Sequence, residues 1–300
     1  MPAQENNTRQ QLATLGSKWT KTKFLLKHPA LRKYVPDTSL YSSNTLLEML
    51  NKHQVVYVKP SKGTSGNGVI KVVKHNNSKF TYHAGTSPRS FSTYKELFTS
   101  LEQTKYSGEH IVQKGIDLLK YKGLIFDLRV MVQKNEKKQW EVTAYIGRLA
   151  HPKKAVTNFH NGGTPMPLET LLRPFLNDDK NTKYIQSLKD LGYRIATEFH
   201  KSFPKFTEIG IDFGLDSSMK PWIIEVNTRP DAYIFDQLKD KKMFQRVIFL
   251  KKFNGLMSSS RLRKKIRSSS RFRKKIKTNS RLKLRKKNVY RRNSKKPDRA

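Results

Sequence analysis

The sequence predicts an α+β fold followed by a disordered basic tail, and three stretches carry that reading. The first is Glu208 to Asp231, which reads as two short strands around the polar turn Asp216 to Lys220. The second is Lys59-Pro-Ser-Lys-Gly-Thr-Ser-Gly-Asn-Gly-Val-Ile-Lys-Val-Val, a glycine-rich segment between two β-branched runs. The third is a ten-residue repeat near the C-terminus, Ser-Ser-Ser-Arg-Leu-Arg-Lys-Lys-Ile-Arg from Ser258 and Ser-Ser-Ser-Arg-Phe-Arg-Lys-Lys-Ile-Lys from Ser268, with a degraded copy from Thr278. Like charge at that density opposes a packed core, so this part is expected to be disordered without a partner.

Three hundred residues give ample length for a buried core. The chain has no cysteine, which excludes disulfides and thiolate metal sites. No apolar run approaches the roughly 18–20 residues of a membrane span, and the N-terminus lacks the apolar core of a signal peptide. The expectation is a soluble chain of the cytosol. The net charge is +38, and residues 251–300 carry 22 Lys plus Arg against the single acid Asp298. Such a surface calls for polyanionic partners: phosphorylated protein, nucleic acid, polyglutamate or nucleotide.

Met1 to Gly16 is polar and expected to fray. Ser17 is placed to cap a helix carrying Trp19, Phe24, Leu25 and Leu26, and Pro36 closes the segment after it. Pro36-Asp-Thr is turn-like, Thr45 to His53 a short amphipathic helix, and Val55 to Lys59 a β-branched strand. Phe80 to Leu101 holds a strand and a helix, the latter from Ser92. His110 to Asp117 reads as a strand ending at a glycine, able to present edge backbone groups to a flat base. Phe126 to Val132 alternates so that Asp127 and Arg129 share a face, and Trp140 to Ala150 is its antiparallel neighbour, with Arg148 near the end. Val156 to Thr164 is a polar loop. His160 within it has no Cys or His partners at metal spacing and reads as a loop histidine. Lys180 to Phe203 carries Ile185, Leu188, Leu191, Ile195 and Phe199 at helical spacing, which are core positions. Phe235 to Phe253 is expected to be one closing helix.

In the hairpin, Ile209, Ile211, Phe213 and Leu215 fall on one face and Gly210, Asp212 and Gly214 on the other. In its second strand Trp222, Ile224 and Val226 are expected opposite Glu225 and Asn227. Pairing then gathers Asp212, Glu225 and Asn227, hard oxygen donors suited to Mg²⁺ or Mn²⁺. The same face also fits a solvated side of an ordinary hairpin; Gly210 and Gly214 favour the metal reading by leaving room for a bulky ligand. The segment after Lys59 lacks a Gly-Lys-Ser/Thr opening a helix, so it is not a Walker A loop. It fits a flexible hairpin or a flap laying backbone N–H groups over phosphates, and Lys59 adds a fixed ammonium for the second.

Taken in chain order, these segments resemble the ATP-grasp superfamily. The resemblance implies Lys18 and Lys59 as phosphate-binding lysines, with Ser61, Gly63, Ser65, Gly66 and Gly68 in the flap. It implies Gln113, Lys114 and Ile116 at the adenine hinge, Gln113 standing where many members have an acid, and Asp127 near the ribose. Arg129, Arg148 and Asn158 would serve the transferring phosphoryl group, and Asp212, Glu225 and Asn227 the metal. Asp127-Leu-Arg, Arg148, Asn158-Phe-His-Asn-Gly-Gly and Glu225-Val-Asn are similar to the RimK-type glutamate ligases. Residues 15–250, with Gly16-Ser-Lys-Trp and Val112-Gln-Lys-Gly-Ile-Asp, look like the YheC/YheD group associated with bacterial endospore coats.

The implied organisation is a flexible segment 1–16, an N-terminal lobe with the flap over 17–109, a C-terminal lobe with the metal site over 110–253, and the tail over 254–300. The implied activity is ATP- and Mg²⁺-dependent ligation of a carboxylate to an amine through an acylphosphate, at the forming spore surface. Most ATP-grasp ligases carry a further N-terminal α/β domain, whereas some 17 residues precede Lys18 here. That points to a peptide or protein acceptor of the coat. Two other readings stand beside it: an ATP-binding coat protein anchored by its tail without turnover, and a nucleic-acid binder supported by charge alone. Serines among Arg and Lys also resemble coat-protein tails that are phosphorylated.

Overall fold

Ser17 accepts from the Thr20 N–H at 3.3 Å and so caps the first helix, α1, Lys18–Lys27, as its position before an apolar segment predicts. The structure, a computed structural model, describes residues 16–63, 66–76, 79–85, 87–150 and 163–257. Ser65, Asn158, His160 and the repeats of the tail lie outside the described residues. The chain divides into units 1–250 and 251–300. Of the second, residues 251–257 are described; they hold the end of the last helix and a turn.

Among the described residues of the first unit, two antiparallel sheets of six strands each are formed. The first contains β1 (Thr38–Leu40), β2 (Val55–Pro60), β3 (Ile70–Lys74), β4 (Phe80–Ala84), β5 (Ser87–Phe91) and β6 (His110–Lys114), in the order β1-β6-β2-β3-β4-β5. Helices α2 (Ser43–His53) and α3 (Tyr94–Thr104) pack on one of its faces. Both open with reciprocal capping boxes, Ser42 with Thr45 and Thr93 with Glu96, which fixes their starts more sharply than the apolar pattern does. Val56, Val58, Ile70, Val72, Phe80 and Tyr82 point into this layer and are buried.

The second sheet runs β10 (Thr164–Met166), β9 (Trp140–Leu149), β8 (Leu124–Lys134), β11 (Glu208–Leu215), β12 (Pro221–Asn227), with the two-residue β7 (Lys120–Tyr121) pairing β8. Helix α5, Asp178–Ser202, lays Ile185, Leu188, Leu191, Ile195 and Phe199 against it, and the short α4, Leu168–Leu172, packs at α5 and β9. Gly192 on α5 lets the helix approach: a Cβ there would stand 3.0 Å from Val130.

Four expectations change. The division at residue 109/110 assigns β6 to the second lobe, yet β6 lies between β1 and β2 in the first sheet. Likewise α1, read with the first lobe, sends Leu25 into the core of the second sheet and packs on β12. Phe235 to Phe253 is not one helix. A 3-10 turn at Phe235–Gln237 is followed by Asp240, whose Oδ1 accepts the Lys242 N–H at 2.8 Å and starts a separate α6, Lys242–Phe253. Pro36-Asp-Thr does not simply turn, because Thr38 enters β1 opposite Gln113. Among the described residues no helix is long and apolar enough to cross a membrane.

Candidate functional site

The hairpin β11–β12 pairs Asp212 with Glu225 and Gly210 with Asn227, gathering the three oxygen-bearing residues on one face as the alternation predicts. The apolar half of that prediction is corrected by a β-bulge. Register slips between Asp212 and Phe213, so that Phe213 pairs Ile223 and Gly214 pairs Trp222. The extra residue is Ile224, which joins Glu225 on the cleft side while Ile223 and Val226 enter the core. The glycines also act otherwise than expected. A Cβ on Gly210 would stand 2.7 Å from Pro230 and 3.1 Å from Arg129, and one on Gly214 would stand 2.4 Å from Leu118. The space they leave is filled by the protein's own side chains, not reserved for a ligand.

Cross-strand register builds the charged floor. Arg148 on β9 stands opposite Asp127 on β8, and Arg129 on β8 opposite Asp212 on β11. Arg148 forks onto Asp127, Nε donating at 2.7 Å and Nη2 at 2.5 Å, and its Nη2 also lies 3.0 Å from Asp212. Arg129 forks onto Asp212, with Nη2 donating at 2.8 Å and Nε to the other oxygen. All four side chains are buried. Burial pushes the Asp212 carboxyl up, but Arg129 and Arg148 outweigh it and hold the group at about 2. Burial likewise disfavours the Arg148 cation, and Asp127 and Asp212 more than restore it. The arginines expected to face a transferring phosphoryl group are thus committed to a two-by-two network behind the cleft, which neutralises Asp127 and Asp212.

One cleft between the sheets is lined by Lys18, Lys59, Gly66, Gln113, Lys114, Ile116, Asp127, Asp212 and Glu225. Lys59 projects from β2, where its Nζ donates to Gln113 Oε1; Gln113 Nε2 in turn donates to Thr38 Oγ1 at 3.1 Å, and Thr38 Oγ1 to Pro36 O at 2.7 Å. This relay orients the ammonium with a neutral amide, so its charge is not cancelled. Burial lowers the Lys59 pKa to about 8, with Lys18 acting the same way against the pull of Glu225 and Asp212. Lys18 sits at the N-terminal end of α1, its Nζ 3.7 Å from Glu225 and donating to Gly63 O at 2.9 Å.

The base of the flap is tied to α1. Lys18 N–H donates to Ser61 O at 2.6 Å, the Ser17 and Ser61 hydroxyls share a 2.8 Å hydrogen bond, and Trp19 N–H reaches Ser61 Oγ at 3.4 Å. Ser61 is therefore a buried clasp and not a phosphate-facing hydroxyl. Gly68 has φ +71°, and a Cβ there would strike Tyr106 and Pro60 at 2.8 and 2.9 Å. At the hinge, the Lys114 and Gly115 N–H groups are taken by Asp37 O and Val55 O, each at 2.8 Å, so the edge expected to read a base begins at Ile116. Asn227 Oδ1 accepts its own Arg229 N–H at 2.8 Å.

Residues missed by sequence reasoning are Tyr57, which lines the cleft beside Lys59, and Lys21, buried one turn along α1 from Lys18 and attracted by Glu225. The signal was the spacing Lys18-Trp-Thr-Lys21, which stacks two ammoniums on one helix face. Among the described residues no three His, Cys, Asp or Glu form a ready metal cluster. Glu225, partly exposed in the cleft, and Asp212 with Asn227 beside it still form an all-oxygen donor set that fits a hard divalent ion.

The family described as YheC/D like ATP-grasp matches residues 12–251. The chain is 27% identical over 255 residues to the endospore coat-associated protein YheD of Bacillus subtilis (strain 168), covering 79% of this chain and 55% of that protein. It is 22% identical over 223 residues to YheC of the same organism, covering 72% and 60%. The chain therefore spans little more than half the length of these curated relatives. Among solved structures, N5-carboxyaminoimidazole ribonucleotide synthetase from Thermotoga maritima is similar over 80% of this chain and 49% of that one, at 15% identity and a TM-score of 0.42.

Proposed function

The chain belongs to the YheC/D-like ATP-grasp family, and from that premise we propose that it is an ATP- and Mg²⁺-dependent carboxylate–amine ligase acting on a peptide or protein. The observation that carries the reading is the convergence on one cleft of Lys59 from the first sheet with Lys18 of α1 and Glu225 of β12 from the second. In this reading the γ-phosphoryl group passes from ATP to a carboxylate oxygen, giving ADP and an acylphosphate; an amine then displaces phosphate to form the amide. Lys18 and Lys59 hold the phosphate oxygens, and Gln113 keeps Lys59 aimed. Asp127, Arg148, Arg129 and Asp212 form a rigid neutral floor, so positioning rather than proton transfer is their contribution. Glu225, Asp212 and Asn227 would hold the divalent ion, which when bound neutralises charge on the phosphates.

Glu225→Gln keeps the side chain's shape and removes the one cleft carboxylate among the described residues that arginine does not grip. We expect Mg-ATP binding to weaken by about tenfold or more with the melting temperature unchanged. Calorimetry that finds wild type and variant binding equally well would remove the metal assignment. The reaction itself is tested by ADP release from ATP with labelled glutamate and coat extract: label entering a product supports ligation. ATP bound without any labelled product puts an ATP-binding structural role first, a reading supported by the names of the curated relatives.

The tail is proposed as a separate anchor to polyanions or coat proteins at the spore surface. Its repeats set Ser258 to Ser260 and Ser268 to Ser270 among arginines, where phosphate would add about −1.5 to −2 charge each. A chain ending at Gly255 is expected to bind ATP normally and lose its place on the forming spore. Imaging of the shortened fusion in sporulating cells checks this, and normal localisation would reduce the tail to a solubilising appendage.

A further inference from the structure

Between Glu48 and Glu96 stand 47 residues without one Asp or Glu, carrying eight Lys or Arg and three His. This stretch builds β2 to β5, and the fold turns its charge bias toward one surface. The helices α2 and α3 cover one face of the first sheet. On the other face, register aligns Gln113, Tyr57, Lys71, His83 and Pro88 in a row across β6, β2, β3, β4 and β5. Gln113 and Tyr57 line the nucleotide cleft, so the row runs from that cleft straight onto the open sheet. The adjacent row, Val55, Val73, Thr81 and Ser90, floors an open groove flanked by Lys74, His75 and Lys79.

Lys71 is half-buried and His83 exposed; they face each other across strands, and neither has an ion pair among the described residues. Basic side chains set directly opposite, with no acid between them, do not stabilise a sheet. Resting on the ligase reading, we propose that this open half of the first sheet docks an acidic polypeptide segment and leads its carboxylate along the row to Lys59. The groove favours polypeptide over nucleic acid. Its floor is valine, threonine and serine, a strand-lined trough with hydroxyls at hand that an extended chain fits.

The test uses the full chain and poly-L-glutamate, with acetylation of each lysine read by mass spectrometry. Protection of Lys71, Lys74 and Lys79 by about threefold or more is expected at low salt, and its loss at about 0.5 M salt, as screening of exposed charges requires. Lys71→Glu with His83→Glu should abolish the protection of Lys74 and Lys79 and leave ATP affinity unchanged. Protection confined to lysines beyond Lys251, or persisting in the double variant, overturns the proposal. So does stronger protection of Lys71 by an oligothymidylate, which would make the surface a nucleic-acid site. Protection of the groove in a protein that forms no amide product would keep the docking surface and remove the ligase reading. Amide formation on poly-L-glutamate without groove protection would do the reverse.

Discussion

Asp212→Ala is expected to lower the melting temperature by about 6–20 °C. Asp212 is 4% exposed and is gripped by two buried guanidinium groups. Removing one partner from a buried charge network leaves the others uncompensated, at about 3–5 kcal/mol. In a domain of this size each kcal/mol is about 2–4 °C. The sign with pH follows from the same contact. The folded pKa of about 2 lies below the unfolded value of 3.8, so the contribution is present above about pH 4 and is lost as pH falls toward 2. Adding Arg129→Met to Asp212→Ala should recover part of the loss, since one stranded cation goes with its partner. A single variant melting within 2 °C of wild type, by about the usual error of a scan, would show that the network is not holding the sheet.

Lys59→Met is expected to weaken nucleotide binding by about 10–150-fold while leaving the fold intact. A hydrogen bond from a charged group contributes about 1.5–3 kcal/mol, and here the ammonium is already oriented by Gln113. The free amine titrates near 8, and an incoming phosphate favours its protonated form. Affinity should therefore fall as pH rises through about 8, and binding at pH 8 should take up about half a proton. Calorimetry in buffers of different ionisation enthalpy measures that uptake, which the methionine variant should lack. For stability the sign is opposite: the unfolded amine keeps its proton up to 10.5, so Lys59 becomes less unfavourable to the fold between about 8 and 10.5. Equal affinity and equal proton uptake in the two proteins would take Lys59 out of the site.

What could be read from the chain was what neighbouring residues decide. The Ser17 cap, the alternation that gathers Asp212, Glu225 and Asn227, and the apolar stripe of α5 are local and came through. The bulge at Ile224 did not, because Trp-Ile-Ile-Glu-Val alternates acceptably in either register and only pairing with β11 chooses. The packing role of Gly210 and Gly214 depends on Pro230, Arg129 and Leu118, which the fold brings from elsewhere. The pairing of Arg129 and Arg148 with the carboxylates is likewise a property of three strands side by side. Arginine and aspartate look equally available for chemistry until register is known.

The clasp at Ser61 has a thermodynamic corollary. Ser17 caps α1 with the same hydroxyl that bonds Ser61, and the Lys18 N–H is held by the Ser61 carbonyl. Lifting the flap strand therefore removes the Ser61 bonds that hold the capping hydroxyl and the Lys18 N–H in one event. Because α1 is seated on β12 through the second sheet's core, the clasp ties β2 of the first sheet to the second sheet at this point. Whatever ligand orders the flap thereby also orders the first turn of α1, and by linkage a ligand that orders that turn prepares the flap to the same degree.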